Sequence, residues 1–516
     1  MTPDASPGSS TRQIIRAASL VMVLFLASRV AGLAREMIIG ARFGTSAELD
    51  AYLAAFRVPD ILFQLVAGGA LGSAFIPVFT GCLTRRDLPQ AWRLFSAVTN
   101  LVLIVLTALA LVAALAAPTL VHYLLAPGFT PEQQLLTVSL MRWMLISTVI
   151  FGVSGIVMGV LNSFQHFLLP ALAPIAYNLS IIAGAWFLAP EYGAYGLVMG
   201  VVIGAGLHLD IQLLGLWWYR ARYHPILGLH DPNVREVGRL MAPRVLGLAA
   251  VQLNFWINTL LASSLPAGSL SALNYAWLLM LLPQGIIAQA VATAAFPTFA
   301  ALDAHGAYDE LKLVLANTLR AVLFLTIPAA VGLFVWRVPL IRLLLERGEF
   351  TSRSTSLTAL PLAFYAFGLV GHAAVEIITR GFYALHDTRT PVAIGVGAMG
   401  LNTILSLALR PYLGTGGLAL ANTLATLLEM ALLIWLLNRR LRGMPWRSVG
   451  LTALRAALAA AAMALPLAWA ANRWSSGPAL LIGLAGLAVG ALVYLAAAML
   501  LKMPEVGLVR MAIRRR

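Results

Sequence analysis

Apolar residues in this chain do not alternate with polar ones. They run on for some twenty to thirty positions at a time, broken by short clusters of Arg, Pro, Gly and acids. About 20 consecutive apolar residues is the length of one helical bilayer crossing. Fourteen such windows can be read, at approximately 14–34, 49–79, 93–117, 136–160, 168–188, 194–219, 237–263, 269–298, 314–335, 357–379, 391–409, 414–437, 449–471 and 478–501. A membrane barrel would show strands of period two, so continuous runs predict helices. The expected class is an all-α polytopic membrane protein of about 14 transmembrane helices. The second and eighth windows are too long for one straight crossing, and Pro59 and Pro283 are the expected breaks. The segment 336–356 carries Arg337, Arg342 and Arg347 among leucines and is expected to lie along the interface.

The runs also repeat. Ala74-Phe75-Ile76-Pro77-Val78-Phe79 recurs 220 residues later as Ala294-Ala295-Phe296-Pro297-Thr298-Phe299, and Gln64 falls on Gln284. Pro170 falls on Pro391, and Gly196-Leu197 on Gly417-Leu418, at an offset of 221. Matches in register across three pairs of windows predict two six-helix lobes. Six is an even number, so the lobes form a parallel pseudo-repeat, an organisation typical of alternating-access transporters. The expected divisions are a tail over 1–13, lobes over 14–219 and 220–437, two further helices over 438–501, and a basic tail over 502–516.

Composition agrees with the pattern. Of 516 residues 60% are hydrophobic and 11% charged, against about 25% charged in a soluble domain. The net charge of +15 comes from 33 Arg and two Lys against 20 acids. About 23 of the cations lie on the side that holds both termini and about nine on the other, so both ends are expected in the cytoplasm. Cations distributed this way report orientation in a membrane, not a nucleic-acid surface. The apolar run after Arg12 and Arg16 carries Arg29 where a leader would have a small-residue cleavage site, so it is expected to stay as the first helix.

Ionisable residues inside membrane spans are costly and are candidates for function. Arg29, Arg35, Asp50, Arg57 and Asp60 are concentrated in the first two spans. Asp50, Arg57 and Asp60 can share one helix face, as an ion pair locking two helices or as part of a site. Arg29 and Arg35 have only Glu36 as a nearby acid, and two guanidiniums in one cavity suit an anionic ligand such as phosphate. Further along lie Asp210, expected at the headgroups, Arg244, Glu376 (four residues before Arg380) and an isolated Glu429. Glu429 is read as a proton carrier or an interhelical hydrogen-bond partner.

Other patterns point nowhere. Gly395 to Gly400 matches G-x-G-x-x-G, but it lies inside an apolar span, so its glycines are read as helix-packing surface like Gly155/Gly159 and Gly200/Gly204. The single Cys82 forms no intrachain disulfide, and the eight His show no ligand spacing, so neither metal nor cofactor is expected. There is no P-loop, and no extramembrane segment is long enough for a catalytic domain, so no enzyme activity is expected.

Ser28-Arg29, Gly32, Arg35-Glu36, Phe43-Gly44 and Asp50-Ala51 together resemble the opening of the MurJ/MviN lipid II flippases. The likeness continues through Pro59, Gly69-Ala70 and Ser73 to Pro77, then Leu161-Asn162-Ser163, Gly348 to Thr351, and Arg380 to Val392. That family belongs to the multidrug/oligosaccharidyl-lipid/polysaccharide exporter superfamily. The resemblance implies a substrate of undecaprenyl-pyrophosphate-linked disaccharide pentapeptide, moved from the inner to the outer leaflet of a bacterial cytoplasmic membrane. It implies that Arg29 and Arg35 meet the pyrophosphate, that Asp50 is the family acid of span two, and that the last two spans hold the prenyl tail; Arg57 is a further candidate substrate contact. Membrane lipids and cell-wall synthesis proteins are the other partners of such a chain, and nucleic acid is not one.

The chain departs from the family pattern at Leu62-Phe63-Gln64, at Gly68, and at Trp277-Leu278-Leu279, so two cavity cations are absent. Arg244 on span seven is a candidate to replace the missing span-eight arginine, or else it snorkels to the cytoplasmic headgroups. Where some relatives bind sodium, the polar positions here are Asn258, Asn402 and Thr423, with no carboxylate, and no tight sodium site is expected. The expected driving force is the membrane potential. The competing readings are an exporter of another polyprenyl-linked oligosaccharide or of drug-like cations, and an intramembrane polyprenyl-phosphate transferase. The first-lobe arginines argue against cation export, and the lack of a metal-binding acid pair argues against a transferase.

Overall fold

The computed structural model describes residues 7–66, 69–473 and 479–507; side chains at 7–21, 69–71, 73, 243, 244, 246, 247, 249–251, 472, 473 and 479–484 are outside the description. The chain forms two compact units, Met1–Ser264 and Leu265–Arg516. The first contains α1 (Pro7–Phe43), α2 (Ala47–Val66), α3 (Gly69–Thr84), α4 (Leu88–Thr119), α5 (Pro131–Ser163), α6 (Leu168–Ala183), α7 (Ala189–Tyr192), α8 (Ala194–Trp218) and α9 (Pro232–Ser263). The second contains α10 (Ser269–Pro283), α11 (Ala290–Ala304), α12 (Tyr308–Val335), α13 (Arg337–Leu344), α14 (Ser352–Ala384), α15 (Arg389–Leu413), α16 (Thr415–Arg440), α17 (Trp446–Arg473) and α18 (Ala479–Leu500).

Helix starts follow local chemistry. Asp87, Thr130 and Asp231 each accept an N–H of the first turn, and each is followed within two residues by a proline, which has no N–H to satisfy there. Pro59 does not break the second span. It lies buried inside α2, and its carbonyl accepts the Thr148 hydroxyl of α5 at 3.2 Å. Pro283 does mark a break: its missing N–H shifts the following turn, Gln284–Gln289, to π spacing before α11 resumes.

Among the described residues ten helices are long and apolar enough to cross a membrane, against about fourteen expected. α2, with Asp50, Arg57 and Asp60, and α9, with Arg235, Glu236, Arg239 and Arg244, fall outside that number, and both are rich in charge. α9 packs on α2, α3 and α4 within the first unit. α13 packs on α14 and α18.

The repeat is visible in the backbone. Left-handed residues recur 220 to 222 positions apart, as Arg86 and Gly306, Gln165 and His386, Gly193 and Gly414, and Arg220 and Arg442. Gly193 (φ 54°, ψ −136°) and Gly414 (φ 54°, ψ −126°) share a conformation that a side chain would oppose. Three residues later, a Cβ on Gly196 would stand 2.4 Å from the Ala189 nitrogen, and one on Gly417 2.6 Å from the Leu409 oxygen. The same tight turn therefore joins the last two helices of each six-helix set.

Gly159, Gly200 and Gly204 lie against neighbouring helices, as expected of packing glycines. The run from Gly395 does not. Gly397 and Gly400 have nothing within 4 Å of an added Cβ, and Gly395 meets only Glu429.

Candidate functional site

The charged residues of the first unit are held by neighbours of very different strength. Arg29 on α1 is exposed, with its guanidinium carbon 5.2 Å from the centroid of the Phe25 ring, and among the described residues it meets no acid or hydrogen-bond acceptor. Arg35, nearly two turns on, is fixed. Its Nη2 and Nε lie 2.6 and 3.2 Å from Glu36 Oε1, and Nη1 donates to Asn178 Oδ1 of α6 at 3.0 Å. Arg35 thus carries a counter-charge but remains about a quarter exposed, at 27%. Asp50 is buried in the first turn of α2, where a helix N-terminus favours negative charge. Nearby Glu48 accepts the Ala194 N–H at 2.5 Å and so caps α8.

Arg57 and Asp60 form the centre of a network that α9 completes. Arg57 Nε donates to Thr259 Oγ1 at 2.9 Å, and its guanidinium lies 5.6 Å from the Phe255 centroid. The Asp60 carboxylate lies beside Arg57 and accepts hydrogen bonds from Gln64 and Gln252. The sequence reading named Gln64 only as a repeat marker and a departure, and it missed Asn178, Gln252 and Thr259. A signal was there: Gln252, Phe255 and Thr259 are spaced i, i+3, i+7, which is one face of α9. Arg244 is on α9 too, with its side chain outside the described residues.

The four positions considered for ion coupling are not alike. Asn258 belongs to the first unit and meets Asn254 Oδ1 at 3.4 Å. In the second unit Asn402 is buried on α15, and the Thr423 hydroxyl of α16 donates to the Phe364 carbonyl at 2.8 Å. Glu429, also on α16, is half-buried and has no partner among the described residues. Asp210 is exposed, and Glu376 pairs with Arg380 at 3.0 Å.

The second unit also holds a half-open apolar cavity of about 630 Å³. α10, α12 and α13 line one part of it with Leu282, Leu325 and Leu340, while α17 and α18 contribute Leu467 and Leu487. The Trp336 indole, at the α12–α13 junction, lies directly on Gly486 of α18. The segment after α18 is tied to α12 and α17 by an ion pair: Glu505 Oε1 accepts from Arg320 Nη2 and from Thr452 Oγ1, both at 2.8 Å.

Among the described residues no group of three or more His, Cys, Asp or Glu could hold a metal ion. Residues 39–485 match the family model described as lipid II flippase MurJ. The chain belongs to the MurJ family. It is 32% identical over 437 residues to a lipid II flippase MurJ of Burkholderia cenocepacia, covering 83% of this chain and 84% of that one. It is also 32% identical over 513 residues to a probable lipid II flippase MurJ of Rhizobium tropici, covering 95% of each. A solved structure titled lipid II flippase MurJ, inward closed conformation, superposes with a TM-score of 0.80 at 26% identity, over 93% of this chain and 98% of that chain. A multidrug resistance MATE family transporter of the MOP superfamily shares the fold, with a TM-score of 0.69 at 14% identity over 82% of this chain and 98% of the transporter. MurJ-family membership makes the chain a multi-span helical membrane transporter, in keeping with its repeat and with the ten long apolar helices among the described residues.

Proposed function

We propose that the chain flips lipid II, the undecaprenyl-pyrophosphate-linked peptidoglycan precursor, from the inner to the outer leaflet of the bacterial cytoplasmic membrane. It does so by alternating access between lobes over 14–219 and 220–437, with both termini in the cytoplasm. Arg29, Arg35 and Arg57 receive the pyrophosphate, Asp50 supports them from α2, and Arg244 adds the cation missing at Leu278. The cavity lined by α17 and α18 takes the prenyl tail. The observation that carries this reading is Arg29: a guanidinium inside an apolar helix, without a counter-ion among the described residues, is costly unless a ligand supplies the charge. Guanidinium geometry suits two phosphate oxygens at once. Arg35, whose fork is already engaged by Glu36 and Asn178, can act as the second, pre-positioned contact.

Depletion of the protein in its own bacterium, with lipid II assayed separately in each leaflet, tests the reading. Accumulation confined to the inner leaflet is expected. An unchanged distribution would overturn it, and accumulation of a different polyprenyl-linked unit would reassign the substrate.

A further inference from the structure

The repeat puts an ionisable residue at the same place in both six-helix sets. His208 on α8 and Glu429 on α16 are 221 residues apart, the offset that also separates Gly193 from Gly414. His208 is locked. Its Nδ1 is 2.7 Å from Ser154 Oγ on α5 and 3.0 Å from Gln212 Nε2, and its ring meets Phe151 edge-on. Glu429 has no such partners among the described residues, although it sits half-buried in the middle of α16.

The helices around Glu429 bring it no charge. α15 presents Gly395, where an added Cβ would stand 3.5 Å from Glu429 Oε1, and it has no ionisable side chain between Arg389 and Arg410. α14 presents His372, which bonds Asn422 at 3.1 Å and lies 3.4 Å from Thr426, both earlier on α16. α14 also carries Glu376, already paired with Arg380. α10 contributes Tyr275 and Trp277, neither of which carries a charge. In hydrocarbon an ionised carboxylate without a donor is costly, whereas the neutral acid is tolerated. Such a group takes up or gives off a proton whenever its surroundings change between dry and wet.

We propose that Glu429 is the ion-coupling site of the second unit and that the ion is a proton. A carboxylate oxygen takes a proton from water at the outer face and returns it to water at the cytoplasmic face, once per cycle, in exchange for substrate moved outward. No bond other than that O–H forms or breaks. Glycine at 395 is what keeps the carboxylate without a donor while leaving room beside it. The inference rests on the flippase reading.

The test uses the full chain in proteoliposomes, a fluorescent undecaprenyl-pyrophosphate-linked disaccharide as probe, and the membrane potential clamped at zero. The wild type is expected to move the probe several-fold faster when an acid-outside pH gradient is imposed, and to ignore a sodium gradient. Glu429→Gln loses the response to pH, while Glu429→Asp keeps it with a shifted midpoint. Gly395→Ser sets a hydroxyl beside the carboxylate and moves the pH midpoint lower, whereas Gly395→Ala, with no donor, leaves it in place. This pair decides the matter even if the glutamine variant does not fold. A wild type that moves the probe but ignores the pH gradient, or follows sodium instead, overturns the proton inference alone. So does a glutamine variant that responds like the wild type. A wild type that moves no probe under any gradient overturns the flippase reading, and the inference with it.

Discussion

Replacing Gly486 by Ala should expel Trp336 from its place between α12 and α18. A Cβ built on Gly486 would stand 1.1 Å from Trp336 Cη2 and 1.3 Å from Cζ3. Carbon atoms in contact sit about 3.5–4.0 Å apart, so the ring must retreat by roughly 2 Å or more. Trp336 is a rigid indole, only 4% exposed, whose backbone ends α12 and opens α13, so it cannot yield by a small side-chain rotation. Overpacking of this kind costs about 1–3 kcal/mol, and a clash with a ring edge belongs at the upper end. Trp336→Ala alone leaves a void, and Trp→Ala core changes cost about 3–5 kcal/mol. The lower end applies here, because lipid competes for apolar surface as water does not and packing loss is the main term. The double variant has no ring to clash with, so it should be no less stable than Trp336→Ala. That is a coupling of about 1–3 kcal/mol between the two sites. Denaturation of all four proteins in detergent measures it. Flipping should fall in Gly486→Ala as well, because the space open to the displaced ring is the 630 Å³ cavity itself. Stability losses that add to within about 0.5 kcal/mol would show that the ring and the glycine do not constrain each other, and the reasoning would fail.

On the proposed reading, a pyrophosphate contact by Arg29 or Arg35 would contribute about 1.5–3 kcal/mol, so Ala at either should abolish complementation at normal protein level. Growth supported by both variants at low expression would remove the assignment. Arg29→Lys should fail too if two-oxygen geometry matters, and pass if charge alone does. Arg320→Ala leaves Glu505, 5% exposed, without its cation, and should destabilise the protein by about 3–5 kcal/mol in a detergent unfolding assay. Arg320→Met with Glu505→Leu should recover most of that loss; no recovery would mean that the pair's charge is not what ties down the segment after α18. Asp387, in the loop before α15, is held below the usual carboxylate range by the Thr390 backbone N–H, and further by the Thr390 hydroxyl and Arg440. Its stabilising effect is complete above the unfolded carboxylate value of about 4 and is lost as pH falls through the lower folded value. Exchange protection of the first turn of α15 should therefore decline across that acid window, and Asp387→Asn should flatten the decline; an unchanged profile in the variant would refute it.

Much of this was legible in the chain itself. Helix class and the internal repeat follow from hydropathy and register, because a bilayer leaves a spanning chain few alternatives. The offset read from Pro170 and Gly196 is the one at which the backbone repeats its left-handed turns. Arg29, Arg35, Asp50 and Arg57 stood out because charge inside an apolar run is rare. Their surroundings were another matter. Arg57 meets Thr259 across 202 residues, Arg35 meets Asn178 across 143, and Arg320 meets Glu505 across 185. The packing of α9 on α2 has no local cause; a polar face of α9 decides it. The same holds for the Trp336 ring on Gly486, and for the freedom of Glu429 where its repeat-mate His208 is tied. Hydropathy is a property of neighbours along the chain, so sequence determines which segments enter the membrane. Pairing a buried polar group depends on what the fold brings within about 3 Å, and only the tertiary structure sets that distance.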